Sequence, residues 1–227
     1  MRLIDGYEYD LDLSKNFVKE HFYDRKNCTE EILHQLNNGF YDEFIKWDDD
    51  VIVDLGANIG LFTTHVAPYC YKCISVEPTP NHFKILKELT KDIGEIEYVN
   101  AAISNVTGEM DLYLSETNST MNSLSNVYGN SIKVKTYTLK DLLYLYEVEK
   151  VDFMKVDIEG SEVLFLSQEN VGTMSNCVER FFIEFHDVNG KSYTQWRNLF
   201  REVFIENGFE CKDVSVDALF CQNKKYL

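Results

Sequence analysis

The chain has 227 residues, 44% hydrophobic and 14% aromatic, with 38 Asp and Glu against 22 Lys and Arg and a net charge of −16. That is ample for one core, and the acidic surplus argues against a nucleic-acid or anionic-membrane surface, because phosphates are gripped mainly by Lys and Arg. No apolar run approaches the roughly 20 residues that a bilayer span needs, and the opening MRLIDGYEYDLDL lacks a signal-peptide core, so a cytoplasmic protein with no membrane partner is expected.

Residues 1–48 read as an N-terminal extension, partly helical at TEEILHQLNNGF between Thr29 and Gly39, and placed to cover the site. Residues 49–227 read as one domain in which short apolar runs alternate with helix-period segments. Strands are expected at 51–55, 73–77, 96–101, 131–137, 151–156 and 181–185. Helices are expected at 61–70, 80–91, 139–146, 162–166 and 193–207, the last stopped by Gly208. This alternation implies right-handed crossovers and an α/β fold with a mostly parallel sheet, helices covering both faces. The tail FECKDVSVDALFCQNKKY holds two strand-like pieces, near 209–213 and 218–222, with no room for a helix between them. They must form an antiparallel hairpin. A nucleotide-binding sheet closed by an antiparallel strand resembles the Rossmann-like fold of class I S-adenosylmethionine methyltransferases.

The stretch VIVDLGANIG, residues 51–60, sits where a ligand docks in such a sheet, at the start of the first crossover. The dinucleotide fingerprint G-x-G-x-x-G would put glycines at 56, 58 and 61, but the chain has Gly56, Asn58 and Leu61. The missing middle glycine is the one that lets the backbone approach a pyrophosphate, whereas Asn tolerates unusual turn angles. S-adenosylmethionine has no phosphate. Its ammonium gives Asp54 a partner, and Glu77, ending the second strand, stands at ribose reach. Gly60, Asn100, Ala102 and Asp157 complete the expected cofactor set with Asp54, Gly56, Asn58 and Glu77. The pair Tyr146 and Lys150 imitates the Y-x-x-x-K of short-chain dehydrogenases, but it precedes a strand instead of following the active-site one. An NAD-dependent oxidoreductase is therefore the weaker alternative. Cys70 and Cys73 form a C-x-x-C with no second pair to make a zinc site, so they read as semi-buried thiols.

At MKVDIEGSE, residues 154–162, the chain resembles the FkbM family of methyltransferases, and VIVDLGANIG, ISVEPTP, TLKDLL and IEFHD join the resemblance over roughly 43–190. The resemblance implies a Rossmann-like fold and methyl transfer from S-adenosylmethionine to oxygen, commonly on sugars or secondary metabolites. Family members often read T-L-D-D-L where this chain has Lys140, which leaves Asp141 as the matching acid.

The residues themselves add a site. Strand alternation puts Phe153, Lys155 and Asp157 on one face, and Phe182, Glu184 and His186 on one face of another strand. If those strands are neighbours, Lys155 pairs with Glu184, and Asp157 and His186 meet at the carboxyl end. Catalysis is assigned to His186, Asp157, Lys155 and Glu184, with His186 or Asp157 taking the hydroxyl proton. A divalent cation on Asp157, Glu184, His186 and Asp187 is the second mechanism, and the metal-free one is favoured because Lys155 already engages the carboxylates. The acceptor is expected to be a small molecule or glycan held by Tyr41, Tyr128, His186, Trp196 and the polar stretch ETNSTMNSLSN (116–126), with no nucleic acid. A scaffold that binds the donor without catalysis is the non-enzyme alternative, against which Lys155, Asp157 and His186 speak.

Overall fold

The structure is a computed structural model, and it describes residues 2–4, 7–9, 39–46, 50–115, 122–126 and 129–227. The expected helix at TEEILHQLNNGF lies outside the described residues, apart from Gly39 and Phe40 at its end. The described part of the extension contributes instead a short antiparallel hairpin of β1 (Arg2–Ile4) and β2 (Tyr7–Tyr9), which the sequence reading missed, and a turn over 39–44. No helix among the described residues is long and apolar enough to cross a membrane.

The centre is a seven-stranded sheet. Its strands are β3 (Val51–Leu55), β4 (Lys72–Val76), β5 (Ile96–Val99), β9 (Val151–Val156), β10 (Val178–Glu184), β11 (Phe209–Asp213) and β12 (Ala218–Asn223), ordered β11-β12-β10-β9-β3-β4-β5. The run from β10 to β5 is parallel, and β12 enters antiparallel to both β10 and β11, as the tail's two strand-like pieces require. The parallel strands read as near-continuous apolar runs because both faces are covered. On one face Val53, Leu55, Met154, Val156, Phe181 and Ile183 pack under α3 (Leu139–Leu145), α4 (Glu162–Phe165), α5 (Gln168–Cys177) and α6 (Tyr193–Glu206). On the other, Ile52, Cys73, Phe153 and Phe182 pack under α1 (Leu61–Val66), α2 (Pro80–Thr90) and Tyr41, Phe44 and Ile45 of the extension.

Local chemistry explains the helices. In α2, Pro80 stands at the first turn, where no backbone donor is needed, and His82, Ile85, Leu86 and Thr90 fall on the buried stripe. A capping box of Ser192 and Gln195 opens α6, which buries Phe200 and Phe204 one turn apart. Phe204 is fully buried, its ring 4.9 Å from Phe181 and 6.2 Å from Phe209. The family-like TLKDLL is a cap: Thr138 accepts from the Asp141 amide, and the Asp141 carboxylate accepts from Thr107.

Two expectations need correction. The strand expected at 131–137 forms, as β8 (Asn130–Tyr137), but outside the parallel sheet. It pairs with β7 (Gly108–Leu114) and β6 (Ala102–Ile103) in a separate three-stranded sheet. Its pattern explains this: Val134 and Thr136 are buried while Lys133 and Lys135 are exposed, the alternation of a sheet with one wet face. Helix α5 was also missed. Its apolar content is thin, but buried Asn170 bolts it in place, accepting from the Leu139 amide and donating to the carbonyls of Ser104 and Phe165.

Candidate functional site

The strand order reverses between β3 and β9, and a ligand crevice forms beyond the carboxyl ends of strands at such a point. A cavity of about 230 Å³ opens there, lined by Gly56, Asn58 and Ile59 after β3, Glu77, Pro78 and Thr79 after β4, Lys155, Asp157 and Glu159 at β9, and Glu184 and His186 at β10.

The glycine turn is shaped by contact with the neighbouring strand end. Gly56 has φ 83°, and a Cβ there would lie 1.8 Å from the Asp157 carbonyl oxygen, so only glycine fits. Asn58 occupies the left-handed region at φ 51°, and its amide donates to Glu77 Oε2 at 2.9 Å. The other Glu77 oxygen accepts from the Thr79 amide at 2.8 Å. Glu77 thus holds the turn and presents its carboxylate to the cavity. Asn58 Oδ1 is buried with no hydrogen-bond partner among the described residues.

Of the other expected cofactor residues, Asp54, Gly60 and Asn100 stand behind this wall. Asp54 is fully buried and does not line the cavity. It accepts from Thr63 Oγ1 at 2.7 Å and lies 4.0 Å from Lys155 Nζ. Burial pushes its carboxyl up against the opposing pull of Lys155 and Thr63. Gly60 caps α1 at φ 90°, and a Cβ there would lie 2.5 Å from Leu86 Cδ1. Asn100 braces the second turn by donating to the carbonyls of Glu77 and Pro78, and Ala102 lines the cavity.

At the other end, β9 and β10 are neighbours in parallel register, with Phe182 opposite Lys155. They bring Lys155, Asp157, Glu184 and His186 together, but the pairing differs from expectation. Lys155 donates to Asp157 Oδ2 at 2.9 Å, not to Glu184. Burial disfavours its ammonium, yet Asp157 and Asp54 outweigh that and hold its pKa above the usual value. Burial acts against the Asp157 anion too, and Lys155 and His186 overcome it, keeping its pKa low. His186 Nδ1 lies 3.1 Å from Glu162 Oε1, and its Nε2 faces Glu159 at 3.5 Å, Asp157 at 3.9 Å and Glu184 at 4.0 Å. Burial works against the imidazolium, but Glu162, Glu159 and Asp157 more than compensate and raise its pKa well above the ordinary one. Glu159, in the left-handed region at φ 53°, is pushed up to about 8 by burial, with Asp157, Glu162 and Glu184 adding to the rise. Burial, reinforced by Asp157, raises Glu184 to about 7.

Sequence reasoning missed Glu159 and Glu162, which follow the strand in a turn; the motif DIEGSE was the signal. It also missed Thr79, His82 and Ser161, which line the cavity. Asp187 is turned aside, its carboxylate accepting from the Tyr193 amide at the start of α6. Trp196 donates to the Val188 carbonyl and stacks on Phe200, away from the cavity lining, while Tyr41 lines it. Tyr128 and residues 116–121 lie outside the described residues. The described end of that polar stretch supplies Asn122 and Leu124 to the lining, tied to Thr79 and Ser161 by hydrogen bonds. Tyr146 ends α3, and Lys150 precedes β9 and binds Asp152 and Glu179, neither of them in the cavity lining.

A sheet of this order with a glycine turn at its switch point, an acid after the next strand and an antiparallel strand near one edge defines a Rossmann-like α/β methyltransferase fold. Residues 54–211 match the methyltransferase FkbM domain, and the chain belongs to that family of methyltransferases. No curated protein matches it. Similar solved structures include the YcgJ protein of Bacillus subtilis, 13% identical with TM-score 0.47 over 81% of this chain and 71% of that one. Another is a ribosomal protein L11 methylase from Lactobacillus delbrueckii subsp. bulgaricus, 12% identical with TM-score 0.48 over 88% and 80%. A third is Aeropyrum pernix fibrillarin with natively bound S-adenosyl-L-methionine, 13% identical with TM-score 0.43 over 77% and 66%.

Proposed function

We propose that the chain transfers a methyl group from S-adenosylmethionine to a hydroxyl of a sugar, glycan or secondary metabolite. The observation that carries this reading is a single cavity with a carboxylate-held, phosphate-unfriendly turn at one end and a carboxylate–imidazole cluster at the other. The donor end fits an adenosyl ligand. Glu77 offers acceptor oxygens to ribose hydroxyls, Asn58 Oδ1 has an unused acceptor position, and Val76, Pro78, Ala102 and Ile103 form an apolar sleeve for a flat base. When bound, S-adenosylmethionine supplies an activated methyl carbon on a sulfonium.

The chain's residues then orient the acceptor and remove its proton. Lys155 fixes Asp157 through Oδ2, and Asp157 and Glu184 each stand within 4.0 Å of His186 Nε2, so a hydroxyl proton taken by one is shared among them. The acceptor oxygen forms its bond to carbon as the carbon–sulfur bond breaks, the electron pair staying on sulfur and the proton on the cluster. The extension, through Tyr41, forms part of the cover. The acceptor is uncharged or weakly charged, since 38 acids against 22 bases repel phosphate backbones.

Calorimetry with S-adenosylhomocysteine tests the donor end: Glu77→Ala should weaken binding by about 1.5–3 kcal/mol, the scale of lost charge-assisted hydrogen bonds. His186→Ala and Glu184→Gln should lower methyl transfer about 10²-fold while leaving that affinity nearly unchanged. Labelled methyl donor offered with glycosides, nucleotide-sugars, RNA and DNA reads the acceptor. Tight NAD binding, or labelling of RNA or DNA with none of any glycoside, defeats this reading.

A further inference from the structure

The cluster at the ends of β9 and β10 is more specific than proton removal demands. Four carboxylates, Asp157, Glu159, Glu162 and Glu184, surround two cationic groups, Lys155 and His186. Lys155 engages only Oδ2 of Asp157, at 2.9 Å, which leaves Oδ1 on the side of His186. The ligand atoms of Asp157, Glu159 and His186 all lie within 4.8 Å of one another.

The histidine is held from behind. Its Nδ1 is 3.1 Å from Glu162, whose side chain is only 2% exposed. An Nδ1–H donated to a buried carboxylate fixes the ring, so an ion that displaces the Nε2 proton meets a lone pair aimed the other way. Here that direction leads to Glu159 Oε2 at 3.5 Å and Asp157 Oδ1 at 3.9 Å, both longer than a normal hydrogen bond. Three donor atoms from two strand ends thus face one another within 4.8 Å. A carboxylate behind a histidine that faces further carboxylates is the outer-shell arrangement of metal-binding histidines.

We propose that Asp157, Glu159 and His186 bind a divalent cation, with Glu184 beside it. Donors bound about 2.0–2.4 Å from one ion lie roughly 3–3.5 Å apart, so small side-chain rotations close the set. One imidazole with two carboxylates and no thiolate suits Mn²⁺ and its neighbours over soft ions. Coordination positions left toward the cavity would take the acceptor hydroxyl and lower its pKa, with the proton passing to Glu184. That role rests on the methyl-transfer reading above. Binding of the ion does not.

The test uses the full chain, stripped with a chelator and titrated with Mn²⁺, free ion being followed by electron paramagnetic resonance and the donor end by S-adenosylhomocysteine calorimetry. The wild type should show one site. Glu159→Gln, His186→Ala and Glu162→Gln should each lower Mn²⁺ affinity about 10-fold or more with S-adenosylhomocysteine affinity retained, which also shows that the variants fold. Asp187→Asn should leave the affinity as it was. A wild type that holds Mn²⁺ no better than these three variants overturns the proposal. A wild type that binds Mn²⁺ but not S-adenosylhomocysteine supports the ion and sinks the methyl-donor reading instead.

Discussion

The contact between Gly56 and the Asp157 carbonyl ties the two ends of the cavity together through one missing side chain. Gly56→Ala would place a methyl carbon 1.8 Å from that oxygen while holding a non-glycine residue at φ 83°. The backbone conformation alone costs about 1–2 kcal/mol, and the clash adds to it by driving the ends of β3 and β9 apart. For a chain of this size each kcal/mol is about 2–4 °C, so the variant should melt at least 4 °C lower, by calorimetry, and lose measurable S-adenosylhomocysteine binding. An unchanged melting temperature would mean that the two strand ends are not held at this spacing. Asn58 shows the complementary solution: a left-handed angle reached with a side chain whose amide oxygen is left unused at the cavity wall.

At the scale of elements, α6 is locked to β10 and β11 by aromatic rings. Phe204 contacts the rings of Phe181 and Phe209, and all three are fully buried. Phe204→Ala should cost about 3–5 kcal/mol in urea unfolding, because the close-packed surroundings leave a cavity behind. The parallel strands were legible in the sequence because burial on both faces forces runs such as VIVDL and VDFMKV to be largely apolar. The side sheet was written in β8's alternation of Ile132, Val134 and Thr136 with Lys133 and Lys135, but alternation states only that one face is wet and not which sheet the strand joins. Helix α5 was hidden because a hydrogen-bonded asparagine, which no hydrophobic pattern reports, anchors it. For the site, period-two reasoning placed Lys155, Asp157, Glu184 and His186 together because strands keep that period. It could not reach Glu159 and Glu162, which enter the cluster through a turn with left-handed residues at 159 and 160. Nor could it see that the Tyr193 amide draws Asp187 away.

For the molecule as a whole, the chain carries 38 acids against 22 bases, and four of those carboxylates meet at the cavity. The sheet's order has a mechanical counterpart. Strand β12 lies between β10 and β11, so the segment 218–223 supplies an interior strand. A chain cut after Asp213 should therefore leave the hydrogen-bonding edge of β10 bare, with Leu219 and Cys221 gone from the core. It should pellet on sedimentation, and a soluble, cooperatively melting product would contradict this placement. The same insertion governs how the protein is made. As the ribosome extrudes it, every residue of the cavity lining emerges while β10 still has an open flank, and the site cannot gain its final rigidity until residue 223 clears the exit tunnel. The end that carries Glu184 and His186 waits on β12, the strand that closes the flank of β10.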